Sequence, residues 1–284
     1  MWVNKVFYRM TAKSVASALN AISVDLSQAT CVTDDAFGYW DGTFGGGFGY
    51  VKELILPGDN CLYIGDGAFM GIERVNQGGT YNPSSLQYLG GSAFEGTQFF
   101  SKFIAPVSLT YVGSDVFRNC KKQLTSLDFR NYKGTTIPAG LCDGCSKLKI
   151  NNEFWPSTVK GIGDRAFQGI DLMYWGDLPT TIETIGNKAF HNISHSMGSL
   201  PSGWANNLTS VGNEAFRGVS LSIGNVVAPK LLSIGENAFR GSTITSFKPK
   251  RATGDERVYI GPHAFYNCNQ LKTVWIPKNC YIGD

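Results

Sequence analysis

The chain has 284 residues, 43% of them hydrophobic and 17% charged, which supplies enough apolar matter for a continuous core and excludes a disordered chain. Its 25 basic and 22 acidic residues leave a formal +3, too little for a surface that tracks phosphates, so neither nucleic acid nor an anionic membrane is the expected partner. Seven cysteines, an odd number, argue against a disulfide-stapled scaffold, and no apolar run reaches the length that spans a bilayer.

In chain order, the first segment, MWVNKVFYRMTAKSVASALNAI, carries positive charges but no uninterrupted apolar stretch of signal-peptide length. Val15, Ala18, Leu19 and Ile22 recur at helical spacing behind a possible cap at Thr11 or Ser14. A short helix over 11–22 is predicted, then a strand in ISVDLSQAT, and residues 1–30 together read as an N-terminal cap. The glycines of DGTFGGGFGY (41–50) lack the Lys-Ser/Thr ending and the following helix of a phosphate loop, so a Gly-rich bulge is expected there.

From residue 31 onward the chain repeats itself. A Gly followed four residues later by Phe occurs in IGDGAF (64–69), LGGSAF (89–94), VGSDVF (112–117), IGDRAF (162–167), IGNKAF (185–190), VGNEAF (211–216), IGENAF (234–239) and IGPHAF (260–265), with a divergent first copy at DDAF (34–37). The gap from Phe117 to Phe167 holds IPAGLC, which puts Cys142 in the Phe slot and makes nine cassettes spaced 23 to 26 residues apart. Three residues after that slot comes a small, mostly apolar residue, among them Ile72, Cys120, Cys145, Ile170, Ile193, Val219 and Cys268. The CDGC at 142–145 has the spacing of a zinc or dithiol site, yet its two cysteines fall in two core columns. With no second CxxC or nearby His to complete a ligand set, they read as small buried hydrophobes.

A second signature runs in phase. Nine of the eleven prolines, from Pro57 to Pro277, precede a cassette Gly by 6 to 12 residues, and alternating apolar stretches such as VKELILP, KFIAP and LKTVWIP lead up to them. Alternation predicts a strand and the proline, with no N–H to donate, ends it. The cassette Gly is expected where a side chain would obstruct the backbone, and the Ala-Phe after it to drive one ring inward per turn.

The order strand, Pro, polar residues, I-G-x-x-A-F, x-[GN]-[CI] resembles the BspA-like leucine-rich repeat, also called the Treponema pallidum type, over residues 31–284. The resemblance implies a right-handed curved leucine-rich-repeat solenoid with a parallel β ladder on its concave side, mostly strand and irregular turns. Departures are the Phe-to-Cys change at 142, longer loops before Gly212 and Gly261, and the extended segment between Phe37 and Phe69. The chain stops at YIGD, in mid-cassette, which is expected of a fragment or of a protein that continues, and open repeat ends are a route to self-association.

Catalytic patterns are sparse. His191 and His195 have H-x3-H spacing but no predicted helix to carry them and no Glu or Cys partner, so His191, His195 and His263 read as surface residues of the turns. No GxSxG occurs. Asp66, Asp115, Asp164, Glu214 and Glu236 recur one or two residues after the cassette Gly, as in a repeated turn rather than an acid/base pair. The basic residues of FKPKRATGDER (247–257) share that segment with Asp255 and Glu256 and read as a solvated loop. Neither an enzyme activity, a metal nor a cofactor is expected of these residues.

What remains is a surface. Counting back two and four from each proline selects Glu53, Ile55, Lys102, Ile104, Phe154, Trp175, Asp177, Asn225, Val227, Thr273 and Trp275 as the outward face of the ladder and the candidate ligand-binding residues. Aromatic and aliphatic side chains among polar ones are what protein- and glycan-binding faces use. The family resemblance implies an adhesin of anaerobic bacteria or some protozoa, at the cell surface or secreted, engaging a protein or glycan ligand of a host or of other cells. The rival expectation is a structural or receptor-binding component of a phage or other multi-subunit assembly.

Overall fold

The structure is a computed structural model, and it describes residues 23–38, 53–72, 78–219, 225–249 and 257–284. The helix predicted over 11–22 and the Gly-rich segment 41–50 lie outside them. Two compact units are present: Met1–Gly134 with Leu141–Leu148, and Thr135–Gly140 with Lys149–Asp284. Each is a stack of β coils in which all strand pairing is parallel.

A single ladder was expected, and each unit has two. The proline-side ladder is the expected one. In the first unit it pairs Ser23–Asp25 with Glu53–Ile55, and Thr80–Tyr81 with Lys102–Ile104 and Ser126–Asp128. In the second it forms two three-stranded sheets, of Lys149–Ile150, Leu172–Tyr174 and His195–Met197, and of Asn225–Ala228, Ser246–Pro249 and Thr273–Val274. The second ladder is made of short strands that end just before the cassette Gly, or before Thr33 and Pro138 in the two divergent coils. It has four strands from Cys31–Val32 to Tyr111–Val112 in the first unit, and seven from Thr136–Ile137 to Cys280–Ile282 in the second.

The Ala-Phe turn forms a third hydrogen-bonded side, and its conformation explains two sequence columns. In the second unit Arg165, Phe167 and Gly169 each donate their N–H to a carbonyl of the next coil, to Asn187 (2.8 Å), Ala189 (2.9 Å) and His191 (2.9 Å). The pattern recurs from Lys188 to Asn213, Phe190 to Ala215 and Asn192 to Arg217, at 2.8, 2.9 and 3.1 Å. Aiming every second N–H forward requires left-handed backbone at two points per turn. At the second, Gly or Asn stands, as at Gly169, Asn192 and Gly218 (φ 66°, 54° and 72°), because these residues tolerate that region. At the first, ordinary residues accept it, as do Arg165, Lys188 and Glu214 (φ 55–56°), at a cost of roughly 1–2 kcal/mol each that the inter-coil bond offsets.

The cassette Gly is required by close approach. A Cβ on Gly186 would stand 2.6 Å from the backbone nitrogen of Asp164, and one on Gly212 2.5 Å from that of Asn187, both on the preceding coil. The residue after each such Gly adds a side-chain ladder. Asp164 Oδ1 accepts the N–H of Asn187 (2.7 Å), Asn187 Oδ1 that of Asn213 (2.8 Å) and Asn213 Oδ1 that of Glu236 (2.8 Å). In the first unit Asp34 and Asp66 do the same for Asp66 and Gly91. Two of the periodic carboxylates, Asp66 and Asp164, are therefore acceptors for backbone N–H groups of the next coil.

Inside each unit the Phe side chains stack in line. Rings of Phe37, Phe69, Phe94 and Phe117 follow one another at 5.5, 5.3 and 6.0 Å in the first unit. Those of Phe167, Phe190, Phe216, Phe239 and Phe265 follow at 5.5, 5.2, 5.2 and 5.7 Å in the second, with interplanar angles of 19° or less. Burying each ring contributes roughly 1.5–3 kcal/mol. Phe190→Ala should therefore lower the unfolding free energy by about 3–5 kcal/mol in urea titrations, transfer and cavity terms together. Gly186→Ala should cost about 1–3 kcal/mol by overpacking against Asp164, although it removes no contact.

Candidate binding faces

The second unit assembles the fullest outward surface. In the sheet of Asn225–Ala228, Ser246–Pro249 and Thr273–Val274, burial alternates along the strands, and Val226, Phe247 and Val274 point to the core side. Asn225, Ser246 and Thr273 stand in register on the opposite side, with Ser246 Oγ hydrogen-bonded to Asn225. Val227 (42% exposed) pairs with Lys248, whose Nζ lies 5.6 Å from the centre of the Trp275 ring (48% exposed). The N–H of Trp275 donates to Phe247 O at 3.0 Å, so the ring extends the sheet by one position. The result is an open strip of amide, hydroxyls, an aliphatic side chain, an ammonium and an indole.

Four of the eleven sequence-selected residues, Asn225, Val227, Thr273 and Trp275, meet on this strip. Glu53 and Ile55 lie exposed on one small sheet of the first unit, and Lys102 and Ile104 half-buried on another. Phe154 and Trp175 are corrections: both are buried, at 0% and 1% exposure. In their coils the strand stops early, so the count from the proline crosses a turn and loses phase. Phe154 packs edge-on against Phe167 at 5.2 Å, and Trp175 opens a 3-10 turn, Trp175–Asp177, and packs against Phe190 at 5.1 Å. Asp177 is half-buried in that turn and not on a strand. Lys248 and Ser246 were missed for the converse reason. Pro249 is itself the last strand residue, in register with Ala228, so the outward positions there are one and three before the proline. The expected loop 247–257 accordingly begins as strand, and 250–256 lie outside the described residues.

A second surface belongs to the ladder that sequence reasoning missed, although YIG, YLG and YVG in successive cassettes signalled it. Tyr63, Tyr88 and Tyr111 stack in register at 4.5 Å per step, and Tyr63 Oη donates to Asp34 Oδ1 at 2.9 Å. Burial, then that hydrogen bond and the Asp34 charge, push the Tyr63 phenol far above its usual range. The rings cover one another's faces, so this row offers edges and hydroxyls.

Two parallel ladders, a stacked Phe column and a Gly/Asn turn repeated every 23–26 residues agree with what sequence comparison finds. The family model for the BspA type leucine rich repeat region matches in six copies, over residues 62–197, 135–255 and 202–284. The chain belongs to the BspA-type leucine-rich-repeat family. Among solved structures, a leucine-rich repeat protein from Bacteroides ovatus matches with a TM-score of 0.60 at 18% identity, over 94% of this chain and 76% of that one, a likeness of fold. Another, from Eubacterium ventriosum, covers 92% of this chain and 78% of its own at 18% identity and a TM-score of 0.36. No curated protein matches the chain.

Within this BspA-type frame the CDGC has a structural role. All seven cysteines are thiols, and Cys142 and Cys145 are fully buried. Cys145 Sγ donates to the carbonyl of Phe117 on the preceding coil at 2.8 Å, and Cys120 and Cys268 donate likewise to Phe94 (3.1 Å) and Phe239 (3.0 Å). A thiol in this column thus fills the space of an Ile or Val and serves a carbonyl that an aliphatic side chain would leave alone. Burial drives the Cys142 and Cys145 thiols well above the normal cysteine range, away from the thiolate that redox or metal chemistry needs.

His191 and His195 diverge, His191 Nε2 lying 3.8 Å from Glu214 on the turn side, and His195, on a proline-side strand, placing Nδ1 3.1 Å from Asp171. Among the described residues no group of three or more His, Cys, Asp or Glu could hold a metal ion, and no helix is long and apolar enough to cross a membrane. A thiol reagent applied to the native protein should modify only the half-buried Cys31 and Cys280, and all seven cysteines in denaturant. Peptide mapping of the labelled sites checks this.

Proposed function

We propose that this protein is a non-enzymatic binding module, displayed at a bacterial cell surface, that engages a protein or glycan through the proline-side ladder of its second unit. The observation that carries the reading is the row of Val227, Lys248 and Trp275, held outward by the register of a three-stranded sheet. Exposed Trp supplies large contact area at low entropic cost, and the neighbouring ammonium and hydroxyls give direction to a polar partner. Membership of the BspA-type family supports an interaction scaffold, and the bacterial origin of the Bacteroides ovatus leucine-rich-repeat structure it resembles supports the setting.

The test is adhesion of protein-coated fluorescent beads to cultured epithelial monolayers. Trp275→Ala with Lys248→Ala should reduce specific attachment at least about tenfold, in the range of hot-spot truncations. Val107→Ala, exposed on the first unit, should leave it unchanged. Equal attachment by the double variant would remove this face from the mechanism.

A further inference from the structure

The turn side of the second unit has a surface of different character. The residue after each cassette Phe forms an outward column, and the residue after that is the left-handed Gly or Asn. At Gly218 and Gly241, on adjacent coils, the left-handed position carries no side chain, while Asn192 before them and Asn267 after them do. A trough of about 340 Å³ lies here, lined by His191, Arg217 and Arg240, with Gly241 bare, the Asn192 amide lying across Gly218 and Asn267 on the following coil. With coils about 4.8 Å apart, the four coils involved span roughly 14 Å.

The charge of the wall is not balanced as it is in the first unit. There the same column reads Glu95, Arg118, Asp143, and Arg118 lies 3.8 Å from both carboxylates. In the second unit Glu214 serves Arg217 (2.7 Å), Lys188 (3.7 Å) and His191 (3.8 Å) at once. Arg240 lies over the Tyr266 ring at 4.9 Å and reaches Asn237 Oδ1 at 3.4 Å, and among the described residues no carboxylate pairs with it. The trough therefore has surplus positive charge, amide groups and glycine backbone, and no large apolar side chain lines it.

We propose that this trough is a second binding site, for an acidic oligosaccharide whose uronate carboxylates meet Arg217 and Arg240 and whose hydroxyls meet the amides of Asn192 and Asn267. Charge complementarity selects an anion. A lining of guanidinium groups, amides and glycine carbons, with no large apolar side chain, suits the hydroxyls and C–H faces of a sugar, and an acidic peptide, which Arg clusters also recognise, is the competing occupant that the titration excludes. The turn's backbone is engaged from coil to coil on either side of Gly218, in the bonds from Asn192 N to Arg217 O (3.1 Å) and from Gly241 N to Tyr266 O (2.8 Å). At about 5 Å per sugar ring, a trisaccharide matches the span of the coils.

The experiment is calorimetric titration of the full chain with trigalacturonic acid, its uncharged galactose counterpart and a triglutamate peptide. Trigalacturonate should bind saturably and weaken with salt, and Arg240→Gln should reduce its affinity at least about tenfold while Arg240→Lys retains more of it. Gly241→Asn is the variant that separates filling the trough from unfolding. Asn occupies the same left-handed position at Asn119, Asn192 and Asn267, and a Cβ at Gly241 meets nothing within 4 Å. It should melt like the parent protein and lose trigalacturonate binding. Absence of trigalacturonate binding, equal affinity for the neutral trisaccharide, equal or tighter binding of triglutamate, or unaltered binding by both Arg240→Gln and Gly241→Asn would each overturn the assignment.

Discussion

The forward-directed backbone hydrogen bond from one coil to the next is the constraint on which everything else in each unit depends. It fixes the rise, and at a fixed rise the residues of the ladders and of the cassette turn lie above their counterparts one repeat earlier. Each column of the sequence then has to solve one problem repeatedly. Aromatic rings of the cassette column stack at 5.2–6.0 Å because each lies over its counterpart on the neighbouring coil. Glycine persists where a Cβ would strike the coil below, and Asp or Asn persists where the coil above presents a bare N–H. Burial holds the column together, but the hydrogen bonds decide what each column can contain.

This accounts for what could and could not be read from the sequence. The Phe and Gly columns, the Gly/Asn position and the buried reading of the CDGC were legible, because identical environments select identical residue types. The short ladder beside the cassette was not expected as a strand, since two residues give alternation too little length to register. The outward face was legible only where strand and proline keep phase. It reads correctly at Asn225 and Val227, fails at Phe154 and Trp175 where a turn intervenes, and skips Lys248 because Pro249 joins the strand. Packing of the turns, which is set in three dimensions, decides these cases.

The cysteines show how a column admits exceptions. A thiol has about the reach of an aliphatic branch and adds a weak donor, so Cys120, Cys145 and Cys268 satisfy a Phe carbonyl of the preceding coil without enlarging the core. Thr97 and Ser242, also buried in this column, lie 3.8 and 3.5 Å from the sulfurs of Cys120 and Cys268. Polar atoms enter the core here because the backbone offers them a partner.

The non-glycine residues held in left-handed backbone have an evolutionary consequence. At Arg165, Lys188, Glu214, Asn237 and His263 the main chain dictates the geometry, while the side chains of all but the buried Asn237 reach the surface of the turn. Residues as different as a cation, an anion and an amide occupy equivalent sites without altering the coil. Selection can therefore redraw the surface chemistry one letter at a time while the scaffold stays constant, which is the condition under which a repeat array diversifies its recognition without having to rediscover its fold.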